Sequence, residues 1–431
     1  MQYRSTRGGE PIGIEQAIMS GTAPDGGLYM PLSLPHLEVE AFRGSEGYSD
    51  VAQRLLGPFM EGSMLVDELP AICVEALNFP IPTRDLEPGL SVLELFHGPT
   101  AAFKDVGARF LAASMSQIIR HGRCSGVPVT IIVATSGDTG SAVAAAFHRR
   151  PETRVVVLFP EGRVSARQQH QLTCWGENVI SLAVRGEFDD CQRLAKEAFA
   201  DPGLRGSHNL CSANSINIGR LLPQTTYYAK ASLEHYLRTG KAPSFVVPTG
   251  NLGNGFACVL ARAMGLPIDR IVFATNANAT ISDFLATGQW LPRPTMATLA
   301  SAMDVGDPSN MERLRDLCGG ADAIRDEVTA MPVSDNEIRA SIREEFQRHR
   351  LPWCPHTATG FHVFRQLPQT ERRGRDWIVV ATAHPAKFDT IVEPLLGTVI
   401  PTPPELAHLL ELPTRCETIA PRLAEIAARL S

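Results

Sequence analysis

The sequence predicts an α/β protein with two open, twisted, mostly parallel sheets flanked by helices, preceded by an N-terminal cap domain. Two observations lead there. From about Ser91 onward, short runs rich in Val and Ile recur without polar alternation, as parallel strands covered on both faces require. Each run is followed by a glycine or polar turn and then an amphipathic segment, the rhythm of βα units. With 431 residues, 44% of them hydrophobic, the chain can fill two such lobes.

Taken in order, the stretch to about Pro82 lacks this rhythm and mixes short helical patterns with turns such as APDGGLYMP, so residues 1–85 are expected to form the cap. Strands are predicted over 127–135, 154–159, 179–184, 245–249, 270–275 and 377–382, and helices over 141–149, 217–238, 254–264 and 336–350. They are assigned to a first lobe, residues 86–240, and a second, residues 241–431. The second ends in a Pro-rich linker at 401–404 and a helix at 422–430. Ligands of such sheets bind beyond the carboxyl ends of the strands.

The net charge of −6 offers no basic footprint, so neither nucleic acid nor an anionic membrane is expected as a partner. No apolar run reaches the roughly 18 residues of a membrane span, and the start, MQYRSTRGGEPIG, lacks the apolar centre of a signal peptide. A cytoplasmic protein is expected. Nine cysteines without a CxxC pair and twelve histidines without HExxH read as reduced thiols and no metal site.

Only five of the 40 basic residues are lysines: Lys104, Lys196, Lys230, Lys241 and Lys387. Where a bare positive charge suffices, this chain uses Arg, so a lysine in apolar surroundings invites a chemical explanation. Guanidinium cannot form a Schiff base, whereas a lysine amine can once burial lowers its pKa. Lys196, Lys230 and Lys241 sit in polar stretches. Lys104 lies among Phe96, Phe103, Phe110 and small residues.

Four segments could carry chemistry. In VVPTGNLGNGFACVLARAMG a strand ends at Thr249 and a loop of Gly250, Asn251, Leu252, Gly253, Asn254 and Gly255 opens a helix. Such a loop suits a phosphate, although a tight turn using glycine for geometry alone has the same form. Neither GK[ST] nor GxGxxG is present, which disfavours nucleotide versions. In VTIIVATSGDTGSAVAAAF, the hydroxyls of Thr135, Ser136, Thr139 and Ser141 surround a helix start, where they can cap it or help grip an anion. In NLCSANSINIGRLLPQ, Asn214, Ser215, Asn217 and Arg220 cluster at another helix start, and Arg220 could fork onto a phosphate or carboxylate. In DWIVVATAHPAKF, a strand ends in Thr382, Ala383 and His384, the last read as a turn or core histidine. One lysine in an aromatic-flanked pocket plus two or three anion-binding helix starts fits a phosphorylated aldehyde held covalently by Lys104.

The segments STRG, APDGGLYMP, FHGPTAAFKD, ATSGDTGSA, NSINIGRLLPQ, PTGNLGN and ATAHPAKF, in this order over nearly the whole chain, resemble threonine synthases of the long, bacterial and fungal type. These lie within the fold type II class of pyridoxal-phosphate (PLP) enzymes. The resemblance implies that Lys104, with Phe103 beside it, carries PLP. It implies that Gly250, Asn251, Leu252, Gly253 and Asn254 cradle the PLP phosphate, and that Thr382 faces the pyridine nitrogen. Thr135, Ser136 and Thr139 would take the substrate carboxylate, and Asn214, Ser215, Asn217 and Arg220 the substrate phosphate. Asp138 shares the substrate-side loop, where relatives in the wider class place an Asn against the cofactor's 3′-oxygen. A carboxylate would repel that oxygen unless a proton is shared, so Asp138 is counted with the substrate-binding residues of this loop rather than with the cofactor's.

The implied reaction converts O-phospho-L-homoserine and water into L-threonine and phosphate, with the Lys104 amine moving protons, in a monomer or homodimer. Elimination to a 2-oxo acid in the same pocket and a non-catalytic phosphate-binding protein are the alternatives.

Overall fold

The structure is a computed structural model and describes residues 1–45, 47–122 and 128–430. Val127, where one strand is predicted to begin, lies outside the described residues. The strands in chain order are β1 (Tyr3–Ser5), β2 (Gly8–Ile12), β3 (Tyr29–Pro31), β4 (Thr83–Glu87), β5 (Leu90–Glu94), β6 (Val129–Ala134) and β7 (Thr153–Pro160). They continue with β8 (Val179–Val184), β9 (Asn209–Ser212), β10 (Ser244–Pro248), β11 (Ile271–Thr275), β12 (Val328–Pro332), β13 (Trp377–Ala381) and β14 (Glu417–Ile419).

Three sheets result. A small antiparallel sheet, β2-β1-β3, belongs to the N-terminal segment. A six-stranded sheet has the order β12-β11-β10-β13-β5-β4, parallel except for the edge pair β4/β5, and a five-stranded parallel sheet has the order β14-β8-β7-β6-β9. Sheet membership does not follow sequence position: β5 lies in the six-stranded sheet, and β14, near the end of the chain, edges the five-stranded one. The two sheets therefore interleave across the lobe boundary expected near residue 240.

Strand parity explains the unbroken apolar runs. Ile131 and Val133 of β6, Phe245 and Val247 of β10, and Ile378 and Val380 of β13 all feed one large core. Their neighbours Ile132 and Ala134 face a second core, and Val246, Trp377 and Val379 a third. Successive side chains point to opposite faces, and both faces are covered. Tyr3, Leu55 and Phe59 of the N-terminal segment join the same large core as Phe110 and Phe256, so this segment is packed onto the rest by shared burial.

The helix expected over 217–238 is two, Ile218–Leu221 and Gln224–Thr239. Pro223 at the break has no N–H to continue the ladder. The proline segment at 401–404 leads directly into a helix, Pro404–Leu410, with proline at its first position, where no N–H is needed. Among the described residues, no helix is long and apolar enough to cross a membrane.

Candidate active site

The carboxyl ends of β6, β10 and β13 converge on a cavity of about 640 Å³. The loop after β5 is zipped against the end of β13: Phe103 N–H donates to Thr382 O at 2.8 Å and His384 N–H to Ala101 O at 3.0 Å. Buried Asp105 locks the same loop from behind by accepting from Thr100 N–H (2.9 Å) and Oγ1 (2.7 Å). These bonds set Lys104 at the first residue of the helix Lys104–His121, with Phe103 at its flank and Thr382 on the same cavity wall.

Lys104 is enclosed by protein but keeps part of its surface open to the cavity. Burial pushes its amine down to about 8; the Asp138 carboxylate opposes the shift, and the charges of Arg220 and Lys387 add to it. About a tenth is then free amine at pH 7, far more than an ordinary lysine offers, as a nucleophile requires.

Beyond β10, Leu252 adopts a left-handed conformation (φ 63°) and turns the chain into the helix Gly253–Ala263. The first N–H groups of a helix have no partner within it and favour an anion. The asparagine side chains of this loop are engaged elsewhere. Asn251 Nδ2 donates to Ser215 Oγ at 2.8 Å, and its Oδ1 accepts from Ser309 N–H at 2.6 Å. Asn254 Oδ1 accepts from Tyr227 and Tyr228 hydroxyls at 2.6 and 2.8 Å, and its Nδ2 donates to Pro248 O at 3.1 Å. What Gly250, Asn251, Leu252, Gly253 and Asn254 offer the cavity is backbone.

In the loop after β6, Thr135 Oγ1 accepts from Gly137 N–H (2.9 Å) and Gly140 N–H (2.8 Å), which leaves its own hydrogen as a donor. Ser136 and Thr139 are half-buried on the cavity wall. Asp138 lines the cavity too, but its Oδ1 pairs with Lys387 Nζ at 2.9 Å and accepts from Gln168 Nε2 at 3.2 Å. Burial alone would raise its pKa. The charges of Lys387 and Lys104 hold it well below the usual carboxylate range.

Asn214, Ser215 and Arg220 border the cavity, whereas Asn217 does not. Asn217 caps its helix through Gly219 N–H (2.9 Å) and donates to Ile18 O (2.9 Å) and Ser212 O (3.0 Å), so its polar atoms are spent on holding the loop. Arg220 is buried, donates to Ala213 O at 2.5 Å and leaves Nε without a partner. Thr249 Oγ1, Asn214 Oδ1 and His356 Nδ1 are likewise buried and unpartnered on this wall. Unsatisfied polar atoms, an open helix start and a depressed amine around one cavity fit a phosphorylated aldehyde cofactor with a polar substrate.

Sequence reasoning passed over two residues. Lys387 is fully buried behind Asp138; its signal was that it is another lysine in an apolar stretch of an arginine-rich chain. His356 accepts from Ala302 N–H at 3.0 Å, a partner 54 positions away that no local pattern discloses. His384 accepts from Ala386 N–H at 3.2 Å and is a turn-capping histidine.

A family model described as pyridoxal-phosphate dependent enzyme matches residues 81–383; models described as threonine synthase N terminus and threonine synthase, C-terminal, match 2–77 and 357–429. The chain is 38% identical over 419 residues to threonine synthase of Serratia marcescens, covering 97% of this chain and 96% of that one. Its fold superposes on PLP-bound threonine synthase from Brucella melitensis with a TM-score of 0.91 and 35% identity, covering 100% of this chain and 98% of that one. Against threonine synthase from Escherichia coli the TM-score is 0.89 with 35% identity, over 100% and 99% of the chains. With matches to the catalytic and both terminal regions, the chain belongs to the threonine synthase family of PLP-dependent enzymes.

Proposed function

We propose that this cavity converts O-phospho-L-homoserine and water into L-threonine and phosphate, with Lys104 as the residue that holds PLP and moves the protons. The observation that carries the reading is the single cavity shared by a lysine amine pushed down to about 8 and the open start of the helix Gly253–Ala263. PLP supplies the electron sink that makes the substrate's Cα and Cβ protons removable.

In this reading the backbone of 250–254 receives the cofactor phosphate. The Thr382 hydroxyl is the neutral partner of the ring nitrogen, and Phe103 walls the site. The remaining hydrogen of Thr135, with Ser136 and Thr139, binds the substrate carboxylate. Asn214, Ser215 and Arg220 receive its phosphate, for which the unpartnered donor Arg220 Nε is the support. Asn217 shapes their loop. Lys104, once released by the incoming amino group, returns as general base and acid.

The enzyme works in the cytoplasm as a monomer or homodimer; the eight described cysteines are all free, which suits a reducing compartment. Incubation with O-phospho-L-homoserine is expected to yield threonine and inorganic phosphate in equal amounts. A 2-oxo acid as sole organic product would overturn the synthase reading in favour of elimination.

A further inference from the structure

Lys387 is the one lysine with no exposed surface, and its ammonium touches two segments of the site at once. It lies 2.9 Å from Asp138 Oδ1, at the start of the helix after β6, and donates to Thr100 O at 2.7 Å, in the loop that carries Lys104. Thr100 O also accepts from Gln171 Nε2 at 3.1 Å, and Gln168 Nε2 reaches the same Asp138 oxygen. Asp138 borders the cavity with Lys104, while Lys387 stands behind it and does not.

We propose that Lys387 is a positioning residue of the reaction: its ammonium is the fixed counter-charge that keeps Asp138 ionised beside Lys104 and ties both to the Thr100 loop. The inference rests on the assignment of Lys104 made above and concerns what surrounds it.

A buried ionised carboxylate without a partner is costly, and so is a buried ammonium; together with good geometry they are tolerated. A neutral amide at position 138 would need no such partner. This chain instead places a balanced charge pair beside the reacting amine. The other charged or titratable groups facing the pair are Lys104, His356 and Cys354 toward Asp138, and Asp105 and His384 toward Lys387. Arg220 also acts on Lys104, lowering its pKa through its charge. His356 is pushed down to about 4, chiefly by burial, so it is neutral near pH 7 and cannot replace the Lys387 charge.

The two partners act on the Lys104 amine with opposite signs: Asp138 raises its pKa and Lys387 lowers it. The test follows that amine in apo-protein, through the pH dependence of the rate at which added PLP generates the visible band. Asp138→Asn is expected to move the midpoint down by about one pH unit or more, the usual effect of a charge at close range, whereas Lys387→Met, which lets the buried Asp138 take up a proton, is expected to leave it near that of wild type. The double variant D138N/K387M is expected to return near the wild-type midpoint, and Lys387→Arg, which keeps the charge, to stay close to it.

Thermal midpoints of the apo-proteins report folding separately. If Lys387→Met does not fold, the charge-balanced double variant is expected to fold, and Asp138→Asn and Lys387→Arg still supply the comparison. The proposal is overturned if Lys387→Met moves the midpoint up, the mark of an Asp138 that stays ionised without its partner, if Asp138→Asn titrates as wild type does, or if the double variant stays at the Asp138→Asn midpoint. It is also overturned if the double variant fails to restore folding. A wild-type protein that forms no band, or Lys104→Ala that forms one, would instead overturn the assignment of Lys104.

Discussion

Replacing Gly250 by alanine tests how closely the segment over the phosphate loop is packed. The added Cβ would stand 2.6 Å from Met303 Cα, 2.7 Å from its carbonyl oxygen and 2.9 Å from its carbonyl carbon. Comfortable carbon contacts begin near ~3.5 Å, so one backbone must retreat by roughly 1 Å. Neither yields easily. Ala302 N–H is held by His356 Nε2 at 3.0 Å, and Met303 N–H by Ala300 O at 2.9 Å. Next along, the Asp304 carboxylate accepts from Thr298 N–H (3.0 Å), Thr298 Oγ1 (2.7 Å) and Asn276 Nδ2 (2.7 Å). On the other side the loop is tied through Asn251 to Ser215 and Ser309.

Overpacking of this kind costs about 1–3 kcal/mol. The strain falls on the loop proposed to receive the cofactor phosphate, so it is expected chiefly as weaker PLP binding, about 5- to 150-fold in Kd at ~1.4 kcal/mol per tenfold. Titration of apo-protein with PLP, followed by the visible band, measures it, with the thermal midpoint of the apo-protein as control. A Gly250→Ala variant that binds PLP and melts as wild type does would refute the reasoning.

Further outcomes are expected. The rate of PLP incorporation should rise about tenfold per pH unit below about 8 and level off above it, because the free amine reacts and burial holds Lys104 near 8. A rate that stays flat through this range would contradict the shift. Lys104→Ala should show no visible band with PLP and retain no cofactor after borohydride treatment, measured by intact mass. Arg313, fully buried, donates to Tyr29 O, Ile216 O and Asn310 Oδ1; Arg313→Leu should destabilise the protein by about 3 kcal/mol or more through orphaned acceptors. Urea unfolding measures that loss, and an unchanged midpoint would show the acceptors find other partners. Asp304→Asn turns an amide N–H₂ toward groups that already donate, and should weaken PLP binding more than it lowers the melting temperature of the apo-protein.

The fold was legible where the physics is local. The six predicted strands fall on β6, β7, β8, β10, β11 and β13, because a buried parallel strand needs an unbroken apolar run. Most strands that escaped notice lack that signal; β5, LSVLE, is buried throughout, but Ser91 and Glu94 break up its apolar run. β2 reads GGEPI, β9 is four residues long, and β12 and β14 lie at sheet edges where part of the strand faces solvent. The helix break at Pro223 was written in the sequence and overridden by the apolar periodicity around it.

The residues themselves singled out Lys104 as the candidate reactive amine, since a Schiff base needs a lysine and the chain spends so few. Glycine and hydroxyl residues after strands marked the anion sites, because capping and phosphate binding use the same exposed N–H groups. Tertiary packing decided which of those groups remain available. It turned Asn251, Asn254 and Asn217 into struts, left Asn214 and Arg220 with unsatisfied atoms at the cavity, and set Lys387 against Asp138 across 249 positions. Hydrogen-bond and charge partners distant in sequence leave no periodic trace; they exist only once the two sheets bring their strand ends together.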